Sequence, residues 1–497
     1  MKKSFYKFRI KNIEKLLLAV LIIIFAAVGS YLFIFSHAAT TLTADFISDS
    51  VVNVTDLSIL ATNWGRTSAT HAQGDANSDG TINIYDLSIL ASQWGQTITP
   101  TPTAVNVINY GATGNGTTDD TAAIGRALSA AVSSTKTVYI PAGTYKISSI
   151  TVPDGLTITG AGQTASWFKG HIDFGCNQYF SDLKIGDSGV SAIHNINGAS
   201  TTTFERVHFR CGGGSAYTPV VFIGEYYPSA GASNHITLKD CEIERNLGTE
   251  TTAWFEGGYN DVTIWVGKLS PVDSVTFDGC HFGVSNGQGG HDIGSPRMDM
   301  EVYIDGDHSD FSVGWSNITV RNSIFEAADG QTLDFSDASY ARGNGVLVEN
   351  NVFMGGGYKR ANWANTLVLE EPMGVIIRNN TFYRGGSTGG AWGNSLQMSN
   401  TDQDVGGPNT SITGNTFDLN HDNGIATGDD WPIVLNGLGN TFSGNTIDCN
   451  YGTLPIILLD NAQNNVVTGN TFNIGSRSLF GSVNGSSANT TSPNTVN

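Results

Sequence analysis

A ladder of near-repeated phrases constrains this 497-residue chain more than any other feature. The phrases are Val-Glu-Asn-Asn-Val-Phe (348–353), Ile-Arg-Asn-Asn-Thr-Phe (377–382), Ile-Thr-Gly-Asn-Thr-Phe (412–417), Phe-Ser-Gly-Asn-Thr-Ile (442–447) and Val-Thr-Gly-Asn-Thr-Phe (467–472). Their Asn recurs at Asn351, Asn380, Asn415, Asn445 and Asn470, at intervals of 25 to 35 residues. A recurrence of that size marks stacked repeats. Each unit is too short to bury its own core and must lean on its neighbours.

Weaker copies extend upstream: Arg-Asn-Ser-Ile-Phe (321–325), Asp-Gly-Cys-His-Phe (278–282), Lys-Asp-Cys-Glu-Ile (239–243) and Glu-Arg-Val-His-Phe (205–209). One column then reads Val207, Cys241, Cys280, Ser323 and the five Asn. Two residues on, a second reads Phe209, Ile243, Phe282, Phe325, Phe353, Phe382, Phe417, Ile447 and Phe472. A two-residue step returns to the same face of a strand, so the aromatic column is expected to stack inside. The Asn column is expected at a turn, where amides bond one another and turn backbone.

Only 14% of residues are charged, and formal charge is −19. The first 15 residues hold six of the 25 Lys+Arg and one acid, so the remainder is more acidic still. Such a surface disfavours nucleic acid and anionic membranes. The five Cys show no zinc-like spacing. Cys241 and Cys280 read as small core residues in the inward column. Coils about 4.8 Å apart also permit a disulfide between them.

The N-terminus reads as an export segment, residues 1–39. Lys2, Lys3, Lys7, Arg9, Lys11 and Lys15 precede a hydrophobic helix from Leu16 to Phe35, and Ser36-His37-Ala38 offers a cleavage site. Both a cleaved signal peptide and an uncleaved membrane anchor fit. Either puts the rest of the chain outside the cytoplasm, secreted or anchored.

Residues 42–97 hold a duplication, Asp-Leu-Ser-Ile-Leu-Ala-x-x-Trp-Gly at 56–65 and 86–95, each copy preceded by an acidic loop. The second loop offers Asp75, Asn77, Asp79, the Thr81 carbonyl, Asn83 and Asp86, with Gly80 at the sharp turn. That is the oxygen set and spacing a hard Ca²⁺ ion needs. The first loop keeps Asp45, Asp49, Asn53 and Asp56 but has Ile47 and Ser50 at the third and sixth positions. One tight and one weak Ca²⁺ site are expected. The segment resembles a dockerin type I module, EF-hand-like, over its whole length. The resemblance implies a cohesin-like partner. Val54-Thr55 and Ile84-Tyr85 replace the Ser-Thr pair used for recognition in that family. A divergent partner and a calcium-stabilised spacer are therefore the open alternatives. The Thr/Pro linker 98–104 follows, stiff and extended.

The rest, 105–497, opens with Val105-Asn-Val-Ile-Asn-Tyr-Gly-Ala-Thr-Gly-Asn-Gly-Thr-Thr-Asp-Asp-Thr-Ala-Ala-Ile124 and continues with Thr137-Val-Tyr-Ile-Pro-Ala-Gly-Thr-Tyr-Lys-Ile147. A helix to about Ser133 lies between, with Thr118 or Asp119 as its expected N-cap. Over 105–160 this resembles the head of the pectate-lyase-like superfamily, which holds rhamnogalacturonase- and epimerase-type domains. The resemblance implies an all-β fold, a right-handed parallel β-helix forming a single-chain solenoid, with the helix covering its N-terminal end. Asp119 and Asp120 read as loop and cap residues rather than catalytic acids.

A second strand precedes each phrase: 298–303, 332–336, 366–370, 395–399 and 432–436. Alternation puts Met298, Met300, Leu333, Phe335, Leu367 and Leu369 inward. Asp299, Glu301, Asp334 and Glu370 then face out on three consecutive coils. Carboxylates so placed suit the acid and base of glycoside cleavage. His291 and Arg297 lie just upstream, and Trp315 and Trp363 are candidates to stack on sugar rings. The competing reading is a solvated acidic face. The superfamily's hydrolase motifs (Asn-Thr-Asp, Asp-Asp, Gly-His-Gly, Arg-Ile-Lys) are absent, Gly290-His291-Asp292 being a fragment, so no catalytic residue transfers by motif. A glycoside hydrolase, a Ca²⁺-dependent lyase and a non-catalytic glycan-binding surface protein are the three expectations, all with a polysaccharide ligand.

Overall fold

The computed structural model describes residues 42–46, 52–77, 79–95, 104–186, 192–195, 201–212, 221–223, 234–246, 262–266, 272–283, 300–304, 316–325, 332–335, 345–354, 366–370, 374–383, 395–399, 409–419, 432–450, 454–483 and 485–497. The chain divides into two units after Thr103. The export segment 1–39 lies outside the described residues. Among those described, no helix is long and apolar enough to cross a membrane.

Unit 104–497 is a parallel solenoid. Every described pairing between its strands is parallel, consistent with the right-handed β-helix expected. Each coil contributes three strands, which stack into three sheets. The first sheet runs through Asn234–Lys239, Val272–Asp278, Ile318–Arg321, Leu347–Glu349 and Ile376–Arg378. The second runs through Glu242–Asn246, His281–Gly283, Ile324–Phe325, Val352–Phe353 and Thr381–Tyr383. The third runs through Val262–Val266, Met300–Ile304, Leu333–Phe335, Leu367–Glu370 and Leu396–Ser399.

A two-residue turn joins first sheet to second, and it explains the phrases. Its leading residue has positive φ in coil after coil: Arg206, Asp240, Asn322, Asn350 and Asn379 at +51° to +57°, and Gly279, Gly414, Gly444 and Gly469 at +65° to +68°. Asn and Gly tolerate that region best. The second turn residue is the buried Asn column. Asn380 Oδ1 accepts from the backbone N–H of Asn351 at 2.9 Å and from its side-chain amide at 3.0 Å. The same pair of bonds repeats between 380 and 415, 415 and 445, 445 and 470, and 470 and 494. Each amide therefore satisfies buried turn donors that would cost about 1–3 kcal/mol if left bare.

Two residues on, Phe282, Phe325, Phe353, Phe382 and Phe417 stack at 4.4–4.8 Å between centroids, with ring planes within 15°. Such offset pairs add about 0.5–1.5 kcal/mol each beyond the area they bury. Cys241 and Cys280 are buried in the turn column as free thiols, not a disulfide. Burial, with a contact to Cys241, pushes the Cys280 thiol well up.

The helix at the head spans Thr121–Val132, and its Ala123, Ile124, Ala127, Leu128 and Ala131 close the end of the core. Its N-cap position is Asp120, not Thr118 or Asp119. The Asp120 carboxylate makes no cap bond because it is engaged elsewhere, accepting the N–H groups of Thr113 (2.7 Å) and Gly114 (3.1 Å). Asp119 Oδ1 accepts from Thr121 N instead.

Unit 42–95 repeats one element twice. Helices Val54–Thr62 and Ile84–Ser92 each start at an Asn, Asn53 or Asn83, whose side chain caps the helix, with Asp56 or Asp86 reaching back to complete a capping box. A small core of Leu42, Val52, Leu60, Ile82, Leu87 and Leu90 lies between them.

Candidate functional site

Parallel register aligns strand positions into rows that run from coil to coil. In the third sheet one such row reads Asp173, His194, Phe222, Trp265, Tyr303, Asp334, Val368 and Gln397. Six consecutive coils thus place an acid, four aromatic residues and an acid at one level. At about 4.8 Å per coil the run is about 24 Å long. At its near end Asp173 is 2.9 Å from His171 Nε2, with Ser149 and Thr151 hydroxyls at 3.3 and 3.4 Å.

Asp334 ends the run. Its neighbours Leu333 and Phe335 are fully buried in the core, which puts Asp334 on the outer side of the strand, yet it is only 3% exposed. A solvated surface carboxylate would not be. Glu301 lies two residues before Tyr303, the register partner of Asp334, and Glu370 two residues past Val368, its partner on the next coil. The three acids therefore follow a diagonal. At the backbone, Asp334 is about 8 Å from each of the other two, while Glu301 and Glu370 are about 16 Å apart. Asp299, His291, Arg297, Trp315 and Trp363 lie outside the described residues.

A second group was not anticipated. On the outer row of the second sheet, Lys184, His208, Glu242 and His281 share one level, and Arg210 and Glu244 the next. His208 Nε2 is 3.0 Å from Glu244 Oε2, and its Nδ1 is 3.6 Å from Glu242 Oε2. Arg210 Nε is 2.9 Å from Glu244 Oε1, an ion pair not angled as a hydrogen bond. Lys184 and Lys169 hold their ammonium groups 4.7 and 5.3 Å from the Trp167 ring centre. The available signal was the slot between the two inward columns, which carries His208, Glu242 and His281 on three successive phrases.

On the first sheet the outer row alternates in sign: Glu205, Lys239, Asp278, Arg321, Glu349 and Arg378. Ion pairs close three rungs: Lys239–Glu205 at 3.0 Å, Arg321–Asp278 at 2.7 Å and Arg378–Glu349 at 2.6 Å. Burial pushes the Glu205 carboxyl up, but hydrogen bonds from Tyr179 and Lys239 and the Arg206 and Lys239 charges outweigh it and hold Glu205 below its ordinary range. Hydrogen bonding to Asp182 raises Arg206 further above its usual value.

In the smaller unit, the second loop winds around its carboxylates. Asp75 accepts from the N–H groups of Asp79 (3.2 Å) and Gly80 (2.9 Å), and Asp79 from that of Thr81 (2.7 Å). Asp86 accepts from Ala76 and Asn83, and the Asn83 amide donates to the Thr81 carbonyl. Gly80 takes the required positive φ of 82°. Asp75 and Asp86 are buried, and their described partners are backbone N–H groups. Buried charges are paired or hold metals, so this donor set fits Ca²⁺. In the first loop Asp45 and Asp56 are buried, and Asn53 caps its helix. Asp49 lies outside the described residues.

The family model for rhamnogalacturonase A/epimerase, pectate lyase-like proteins matches residues 104–295. That supports the pectate-lyase-like reading of this part of the chain. No curated protein sequence matches. Among solved structures, the chain is similar to the mannuronan C-5 epimerase A-module of Azotobacter vinelandii, at 15% identity and TM-score 0.38, over 79% of this chain and 95% of that one. It is also similar to the surface protein and adhesin PfbA of Streptococcus pneumoniae, at 15% identity and TM-score 0.41, over 80% and 100%. A third is tailspike protein 3 of bacteriophage CBA120, at 14% identity and TM-score 0.47, over 79% and 59%. Likenesses this remote carry no argument about activity.

Proposed function

We propose that residues 104–497 are a carbohydrate-active domain, most specifically a glycoside hydrolase acting on an extracellular polysaccharide. The observation that carries this reading is the third-sheet row, where four aromatic residues in register lead to Asp334, a buried carboxylate on the outer side of its strand. Aromatic residues beside a few placed polar groups are what a glycan groove needs. Asp334 with Glu301 or Glu370 supplies the acid and the base, and Asp299 belongs to the same candidate set. One carboxyl protonates the leaving oxygen; the other takes a proton from the attacking water. Inversion at the sugar carbon needs the two carboxyl groups about 6.5–9.5 Å apart, with room for that water between them. The family match, whose description names a rhamnogalacturonase and an epimerase, agrees with a polysaccharide ligand.

For the smaller unit we propose a dockerin-like module that holds Ca²⁺ tightly through Asp75, Asn77, Asp79, Thr81, Asn83 and Asp86 and weakly through Asp45, Asp49, Asn53 and Asp56. Calcium there would fix the start of each helix. Val54, Ile84 and Tyr85 are exposed at those starts and form the surface offered to a cohesin-like partner. Export through residues 1–39 would place both units outside the cell.

The test is a polysaccharide panel with product analysis. New reducing ends of inverted configuration support the hydrolase. Ultraviolet-absorbing unsaturated ends would replace it with a lyase. Binding without products would leave a glycan-binding protein.

A further inference from the structure

We propose that His208, Glu242 and Glu244 form a site for a transition-metal dication of the zinc class, separate from the third-sheet row. The backbone assembles it. Glu242 and Glu244 are two residues apart on one strand and so share a face. His208 is the register partner of Glu242 on the preceding coil. His281 is its partner on the following coil and offers a fourth donor. One ligand atom from each of His208, Glu242 and Glu244 can be chosen so that all three lie within 4.8 Å of one another. Ligand atoms around a tetrahedral ion with bonds of about 2.0–2.1 Å lie roughly 3.4 Å apart; Glu244 faces Nε2 of His208 and Glu242 faces Nδ1, so closing the site takes a swing of one carboxylate toward the ring nitrogen that binds the ion.

Three further features fit a metal better than a plain ion network. An imidazole nitrogen with carboxylate oxygens suits zinc, whereas Ca²⁺ and Mg²⁺ prefer all-oxygen shells. Arg210 contacts Glu244 through Oε1, leaving Oε2 facing His208, as a partner that orients a metal-binding carboxylate does. Finally, the His208 and Glu244 side chains are 10% and 4% exposed but that of Glu242 is 45% exposed. The site therefore has a buried floor and one accessible ligand, an entry path for the ion.

The experiment uses the full chain, stripped with a chelator and dialysed against zinc chloride with excess calcium present. Calcium keeps the loops of the smaller unit occupied. Bound zinc is measured by elemental analysis and affinity by competition with a chromophoric chelator. The wild type is expected to retain one zinc per chain. Glu242→Gln, at a half-exposed position that does not threaten folding, should weaken uptake at least tenfold, and His208→Gln should abolish it. Asp75→Ala should leave it intact. Equal uptake by wild type and Glu242→Gln, or none by the wild type, overturns the proposal. Loss of zinc in Asp75→Ala would reassign the ion to the loop and overturn it too. None of these outcomes depends on glycan turnover, so the hydrolase reading stands or falls separately.

Discussion

The first and last coils of the solenoid differ on the outside and, in the opposite sense, at the turn. One row of the second sheet carries Lys184, His208, Glu242 and His281, and one row of the third runs in register from Asp173 through the aromatic positions to Asp334. Beyond these residues the same rows read Ile324, Val352, Thr381, Thr416, Thr446 and Thr471, and Val368, Gln397, Val434 and Leu458. The turn column does the reverse. It is Val207, Cys241 and Cys280 beside the charged second-sheet row, then Ser323 and an unbroken Asn ladder beside the plain part of that row. Most of the candidate chemistry thus precedes the Asn ladder along the axis, while Glu370 and the Glu349–Arg378 ion pair lie alongside its first rungs. Binding groups that bury charge and hold back water are costly, and the self-satisfied Asn coils give the neighbouring coils a rigid base.

The sharpest way to break this contrast is at Asp334. Asp334→Asn is expected to lower turnover of the glycan found in the panel by about 10²–10⁴-fold, the usual worth of a general acid or base. The folded state should persist by circular dichroism. Undiminished turnover would strip the third-sheet row of its role. The smaller unit should depend on calcium next most strongly. At a hundredfold excess over Kd, calcium stabilises by about 2.7 kcal/mol. Chelation should lower the unfolding midpoint of that unit by calorimetry, and Asp75→Ala should remove the response. A response that survives Asp75→Ala would reject the loop.

Asn380→Ala should cost about 1–3 kcal/mol in chemical denaturation, because Asn351 loses the acceptor for two donors and Val348 loses its amide donor. Glycan binding should not change. A neutral result would mean the ladder does not stabilise the plain coils. The smallest expected effect concerns the charge ladder and is read against pH. Glu205 is held below its ordinary range, so its contribution is fully present above the unfolded value, about 4.3. It fades as pH falls through the lowered folded value and vanishes below both. Glu205→Gln should flatten that acid limb by no more than about 1 kcal/mol. An unchanged limb would make the row ornamental.

The interior was legible because its rules are local. A two-residue step between Asn and Phe, repeated each coil, fixes a turn and an inward face whatever the loops do. The same alternation put Leu333 and Phe335 inside and Asp334 out. Alternation could not give register, so the diagonal that makes Asp334 central and separates Glu301 from Glu370 emerged only from the strand pairings. Nor could it give burial: Asp334 looks like any surface acid in sequence. His208 and Glu244 went unread because 36 residues separate them. Their meeting depends on how much chain is spent in the loops between, and loop length has no periodic signature.

The Asn ladder also has a direction. Every rung donates from one coil to the carbonyl of the coil that follows it in sequence, from Asn351 to Asn380 and onward to Asn494. A growing chain therefore makes each turn before its acceptor exists, and the turn stays incomplete until 24 to 35 more residues have been added. At about 5–20 residues per second that delay lasts a few seconds. During it the newest coil carries open donors that a neighbouring nascent chain could equally well satisfy.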